Sequence, residues 1–125
     1  MKKILFYQMK GEKRMQIKKI CAELGIEIQV VSPAEYGEPV GALMDLPGMR
    51  KLGRPCTGSG VTGEMLVFAG LDSDDLDAFF DACKRDGVAS VACKAVLTPH
   101  NAAWSGEKLY EELQREHQSV AEKYL

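Results

Sequence analysis

Apolar positions along the chain fall into two blocks with one layout. In each block a short apolar run leads to a segment with apolar residues three and four apart. A glycine and a second apolar run follow. "ILFYQ" precedes one such segment, then Gly25 and "IEIQVV"; "LVFAG" precedes the other, then Gly87 and "VASVACKAVL". A shift of 62 residues superposes the blocks without a gap, placing Ile4 on Leu66, Phe6 on Phe68, Ile17 on Phe79, Cys21 on Cys83 and Gly25 on Gly87. Short apolar runs read as strands and the three-four spacing as helices. Each block therefore predicts strand–helix–strand, over about 2–32 and 64–97.

The second helix is the more fully specified. Asp72 or Ser73 can cap it by accepting N–H groups of its first turn. Asp74, Asp75 and Asp77 sit at its positive end, and Lys84 and Arg85 at its negative end. Leu76, Phe79, Phe80 and Cys83 make one apolar face, and Gly87 supplies a left-handed stop. The first helix repeats the face in Ile17, Ile20, Cys21 and Leu24. Its start is poorer, because Lys10, Lys13 and Arg14 put positive charge at the positive end of the dipole. The strand after it alternates, with Ile26, Ile28 and Val30 opposite Glu27 and Gln29, which predicts a half-exposed edge. Two such units predict an α+β fold, a ferredoxin-like βαβ–βαβ sandwich with a long insertion between the repeats and an extra C-terminal helix. A wholly parallel doubly wound sheet is the rival, but its strands would be apolar on both faces.

Residues 33–63 break the pattern with four prolines and seven glycines. A ferredoxin-like fold needs only a short connection there, and one this long is unusual within a compact domain. "PVGALMDLPG" predicts a short helix starting at Pro39 and ending before Gly48. The remainder reads as a flap over one edge of the sheet. "GSGVTG", Gly58 to Gly63, fits G-x-G-x-x-G, but it precedes a strand where the dinucleotide motif follows one, so the match is accidental.

Composition narrows the class. The 125 residues are 46% hydrophobic and 27% charged, with a formal net charge of −2, as in an ordinary globular domain. That balance argues against nucleic acid as a partner. The basic run Lys10, Lys13, Arg14, Lys18 and Lys19 reads as a solvated helix face. The start "MKKILFYQMKGEKR" is too short for a leader or a membrane span, so a single cytoplasmic domain with reduced thiols and no membrane partner is expected. Cys21, Cys56, Cys83 and Cys93 contain no C-x-x-C pair, and His100 and His117 have no ligand spacing. No metal and no cofactor are expected. Cys56 lies outside the apolar faces, near Arg54, with no histidine close in sequence.

The densest chemistry lies in "KAVLTPHNAAWSGEKLYEELQREH", Lys94 to His117. In the last strand Val91, Cys93, Ala95 and Leu97 share one face, and Ser90, Ala92, Lys94 and Val96 the other. A final helix over the second face would enclose Lys94, whose ammonium would then need Glu111, Glu112 or a bound anion. Thr98-Pro99 suits a single helical turn, and Ser105 a second cap with Trp104 stapled to Leu109. The last helix, about 105–124, carries Tyr110, Leu113, His117, Val120 and Tyr124 in a heptad seam that fits either its own sheet or a second copy.

This stretch resembles the signature end of the bacterial domain-of-unknown-function 3783 family at Lys94, Thr98, Asn101, Trp104, Leu109, Glu112, Leu113, Glu116 and His117. "ILFYQM" and "LVFAGLDSDDLDAFF" are similar too. The resemblance implies a small bacterial cytoplasmic protein and marks the C-terminal stretch as important, without naming its chemistry.

The expected function is therefore a non-enzymatic ligand-binding or regulatory module, homodimeric through its C-terminal helix. Lys94, Thr98, Asn101, Trp104 and Glu112 would line a pocket for a small anionic ligand. No catalytic residue is assigned. The alternatives are a small enzyme using Lys94 on an anionic substrate, and a purely structural domain in which the stretch docks the last helix.

Overall fold

The structure, a computed structural model, describes residues 2–53, 60–91 and 93–124, with side chains to residue 116. Its elements run β1 (Lys3–Tyr7), α1 (Gly11–Leu24), β2 (Glu27–Val30), a 3-10 turn (Pro33–Glu35), α2 (Val40–Leu43), β3 (Met65–Ala69), α3 (Ser73–Arg85), β4 (Cys93–Val96) and α4 (Gly106–Tyr124). The strands make one mixed sheet in the order β2-β1-β3-β4.

β1 and β3 are apolar and buried on both faces, so they take the centre and pair antiparallel. β2, half-exposed along its length, and β4, which alternates in burial, take the edges, each parallel to the first strand of its own unit. The mixed α+β class stands, but the strand order is not ferredoxin-like. In the split arrangement an antiparallel strand lies between the two strands of each unit. Here each helix returns the chain to the neighbouring position, which exchanges the two edges. The long connection follows from this. β2 ends on the far side of β1 from β3, so no hairpin can join them, and the chain must cross β1 to continue.

That crossing covers a face of the sheet, not an edge as the sequence predicts. On one face Ile4, Phe6, Leu66 and Phe68 pack against Ile17, Ile20 and Cys21 of α1 and Phe79 and Ala82 of α3. On the other, Leu5, Tyr7, Met65, Val67 and Cys93 pack against Val31, Tyr36, Val40, Leu43 and Val61 of the connection and Leu109 of α4. α2 is only one turn long. Its first N–H groups are satisfied across the fold: Val40 N–H donates to Trp104 O and Gly41 N–H to Ala102 O, each at 2.8 Å. Glu107 N–H donates to Tyr36 O at 3.2 Å. Glu38, buried to 5% exposure, accepts Leu52 N–H at 2.8 Å and Gly53 N–H at 3.0 Å, which holds the descending limb of the connection.

The sequence repeat is a two-fold in space. Leu5 and Val67 correspond under the 62-residue shift and are also register partners in the central pair. Glu23 and Arg85 correspond likewise, and they form an ion pair of 3.0 Å where α1 meets α3. Local signals hold in detail. Asp72 caps α3 through Asp75 N–H, with the Asp75 carboxylate accepting in return, a full capping box. α1 begins at Lys10 with no side-chain cap. Ser105 Oγ accepts Lys108 N–H at 3.1 Å, and Trp104 and Leu109 join the same apolar cluster, as a staple requires. The Thr98-Pro99 segment makes the single helical turn expected, with Ala102 N–H donating to Thr98 O at 3.0 Å and Thr98 Oγ1 accepting Asn101 N–H at 3.2 Å as a cap does.

α4 enters over the fully buried Tyr7, and a Cβ on Gly106 would lie 2.5 Å from that ring. Tyr7 is held between Tyr36, 5.7 Å away, and the sheet, so it cannot withdraw. Gly106→Ala is expected to lower the unfolding free energy by about 1–3 kcal/mol, read by urea unfolding. An unchanged midpoint would contradict the packing.

Candidate functional site

The placement of Lys94 follows from β4. Cys93 faces α4: its thiol accepts Gln114 Nε2 at 3.5 Å and it packs with Leu109. Neighbouring strand residues point to opposite faces, so Lys94 points to the face of α1 and α3. The expected enclosure by the last helix is therefore not what the chain adopts. α4 lies on the Cys93 face, together with the Thr98–Trp104 turn and Glu112. Lys94 is exposed, donates to Val91 O at 2.6 Å, and lies 5.9 Å from the centroid of the Phe80 ring.

On that face a cleft of about 430 Å³ opens between α3, the 86–91 segment and β4. Its floor is Ile17, Leu66 and Phe79, its walls Phe80, Cys83, Val88 and Val91, and Lys84 and Lys94 line it too. A smaller depression of about 110 Å³ continues it along β4, between Leu76, Phe80, Lys94 and Val96. Both are apolar. The apolar α3 face does double duty: Phe79 points into the core, while Leu76, Phe80 and Cys83 form its outer rim and the groove wall. The sequence carries a signal for this. Four apolar residues on α3 exceed what its narrow buried stripe needs, since only Phe79 and Ala82 are buried.

The other predicted residues lie elsewhere, and most are bonded within the chain. Asn101, 8% exposed, accepts Thr98 N–H at 2.9 Å through Oδ1 and donates Nδ2 to Val96 O at 3.1 Å. Its own N–H donates to Thr98 Oγ1 at 3.2 Å. Thr98 and Asn101 thus close a reciprocal turn that ends β4 and lifts the chain toward α2. Trp104 stacks edge-on with His100 at 5.1 Å and lies under the Lys108 amine at 4.8 Å. Glu112 accepts Arg115 Nη1 at 3.1 Å, a surface pair one helical turn apart. Lys94 thus stands apart from the four other residues predicted to share its pocket.

Burial raises all three described thiols, of which only Cys83 lines the cleft. Burial pushes Cys21 up to about 12, with Cys83 beside it adding to the shift. Burial also pushes Cys83 up, with Asp86 adding and Lys94 opposing, and it pushes Cys93 up. None has the lowered value of a nucleophilic cysteine. Cys56, Arg54 and the start of "GSGVTG" lie outside the described residues, as does the His117 side chain. Among the described residues no three metal-binding side chains gather, and no helix is long and apolar enough to cross a membrane.

A family model described as "Domain of unknown function (DUF3783)" matches residues 64–120. That span takes in β3, α3, β4, the Thr98–Trp104 turn and most of α4. No curated protein and no solved structure matches the chain.

Two outcomes test this geometry. Asn101→Ala leaves Thr98 N–H and Val96 C=O without their partner, and is expected to cost about 1–3 kcal/mol of stability, read by thermal and urea unfolding. A neutral result would mean the turn does not depend on that amide. The second concerns Cys21, whose folded-state value is raised. Its contribution to stability is complete below its ordinary value of 9.0 and is lost as pH climbs toward 12, because the unfolded chain releases the proton first. Unfolding free energy should fall over that interval, and more shallowly in Cys21→Ala. Equal slopes in the two proteins would contradict the burial.

Proposed function

We propose, from the match of residues 64–120 to the DUF3783 family model, that the chain is a ligand-binding module whose site is the α3–β4 cleft within the matched segment. One observation carries the proposal: a lysine from the sheet and one from a helix line an apolar cleft of about 430 Å³. That size accommodates a small organic molecule. An apolar body would displace water from Leu66, Phe79, Phe80 and Val91. A carboxylate would meet Lys84 and Lys94 at the edge, in a charge-assisted bond stronger than a neutral one. The anionic ligand expected from the sequence is retained here, and its surroundings are changed: Phe80 and Val91 take the places of Asn101 and Trp104.

The raised thiol values, and a Lys94 amine that donates to the Val91 carbonyl, favour binding over catalysis. The structural reading of Thr98 to Trp104 has its own support in the bonds from Asn101 and in the acceptance of α2 N–H groups by Ala102 and Trp104. Both readings hold in one molecule, since the turn and the cleft lie on different faces. A homodimer through α4 belongs to the same proposal. Tyr110 and Leu113 already pack on the chain's own sheet, so a partner would use the part of the helix beyond them.

The test is a titration of the ¹⁵N-labelled protein with 4-phenylbutyrate and with 4-phenylbutanol. The acid should perturb the amides of Phe80, Val91 and Lys94. Lys94→Met should weaken it about tenfold, as loss of one charged contact does. Equal binding of acid and alcohol, or perturbations confined to the Thr98–Trp104 turn, would reject the site.

A further inference from the structure

The cleft borders the open edge of the sheet, and the bonding pattern shows which backbone groups that edge offers. Leu97 N–H donates to Phe68 O at 2.8 Å, and Phe68 is the register partner of Val96. In a parallel ladder a residue bonds to the two neighbours of its partner. Ala95 and Leu97 therefore turn their backbone groups toward β3, while Lys94 and Val96 turn theirs outward. Val96 C=O is taken by the Asn101 amide. Lys94 N–H, Lys94 C=O and Val96 N–H remain, facing away from the sheet beside an apolar groove. Asn101 thus limits the edge to a short pairing site, one way in which proteins prevent indiscriminate strand pairing.

The groove matches an added strand. The larger cleft lies toward the N-terminal end of β4 and the smaller depression toward its C-terminal end, with Lys94 bordering both. A strand antiparallel to β4 would run from the depression to the cleft, with its alternate side chains on the α3 side. Its C-terminal end would arrive at the larger cleft, where Lys84 and Lys94 supply positive charge. Asp77 and Asp81 of α3 line neither depression.

We propose that β4 and α3 bind the free C-terminal end of an extended peptide, added antiparallel to β4, with an apolar last side chain in the larger cleft and its carboxylate at Lys84 and Lys94. The proposal rests on the α3–β4 cleft being the binding site, and it names the ligand as a peptide terminus rather than a free small acid. The backbone supplies affinity through Lys94 and Val96, and the two depressions select side chains two residues apart.

The test uses the full chain and two synthetic pentapeptides, acetyl-Thr-Thr-Val-Thr-Phe with a free carboxylate and the same sequence amidated. The acid should bind about tenfold more tightly than the amide. It should displace 4-phenylbutyrate and slow amide hydrogen exchange at Lys94 and Val96. A third peptide, N-methylated at its central valine, should lose most of the affinity. Equal binding of acid and amide, or unchanged exchange at both amides, would overturn the proposal. Binding of 4-phenylbutyrate without either peptide would overturn it while leaving the small-ligand site intact; binding of none of them would reject both. Protection of Lys94 and Val96 that grows with protein concentration alone would assign the edge to a second copy of the chain, and would equally overturn it.

Discussion

The structure depends on one pairing, the antiparallel ladder between β1 and β3. Both strands are buried at every position but the last of β3, so neither can lie at an edge without exposing a face or a row of backbone groups. Placed side by side, they satisfy each other's backbone and present apolar surface above and below. Everything else is arranged to cover that surface. α1 and α3 cover one face in near-equivalent positions, because the two units meet about a two-fold through Leu5 and Val67. The other face has no equivalent pair of helices. It is closed by a connection rich in turns and by the N-terminal part of α4.

That asymmetry explains the dense C-terminal stretch. A connection with one turn of α-helix cannot satisfy its own backbone, and its N–H groups must find acceptors elsewhere. Trp104 O and Ala102 O provide them, and Pro39 and Ser105 form an isolated bridge between the two segments. Asn101 and Thr98 shape the turn that brings these carbonyls into place. Gly41 and Gly106 are needed at the same junction. A Cβ on Gly41 would collide with Met49 Sδ and the Ala102 carbonyl, and one on Gly106 with Tyr7. The residues that look like a binding constellation in the sequence are therefore largely the clasp between the matched family segment and the connection that precedes it.

The chemistry left over is on the reverse face. Lys94 shares a strand with Cys93 but not a face, and this one-residue alternation separates it from Glu112 and the turn. It leaves the lysine beside Phe80, over apolar surface that α3 does not finish covering. A polar amine at the border of an apolar cleft, next to a strand edge with three outward-facing backbone groups, is the arrangement on which the proposed binding site rests.

Sequence alone determined the two strand–helix–strand units, the α3 cap, the glycine stops and the edge character of β2. Each of these is set by neighbours within a few residues, through periodicity, short side-chain oxygens or a left-handed backbone. It also gave the correspondence of Glu23 with Arg85, though not that the two would touch. Tertiary structure decided which side of β1 each unit's second strand would take, and hence that the described residues of the connection would cover a face. It decided as well which face α4 would occupy. Both choices turn on burial between segments tens of residues apart, where either alternative satisfies the same local pattern. The place of Lys94 depended on the second choice: its alternation with Cys93 was legible, but which of the two would face the last helix was not.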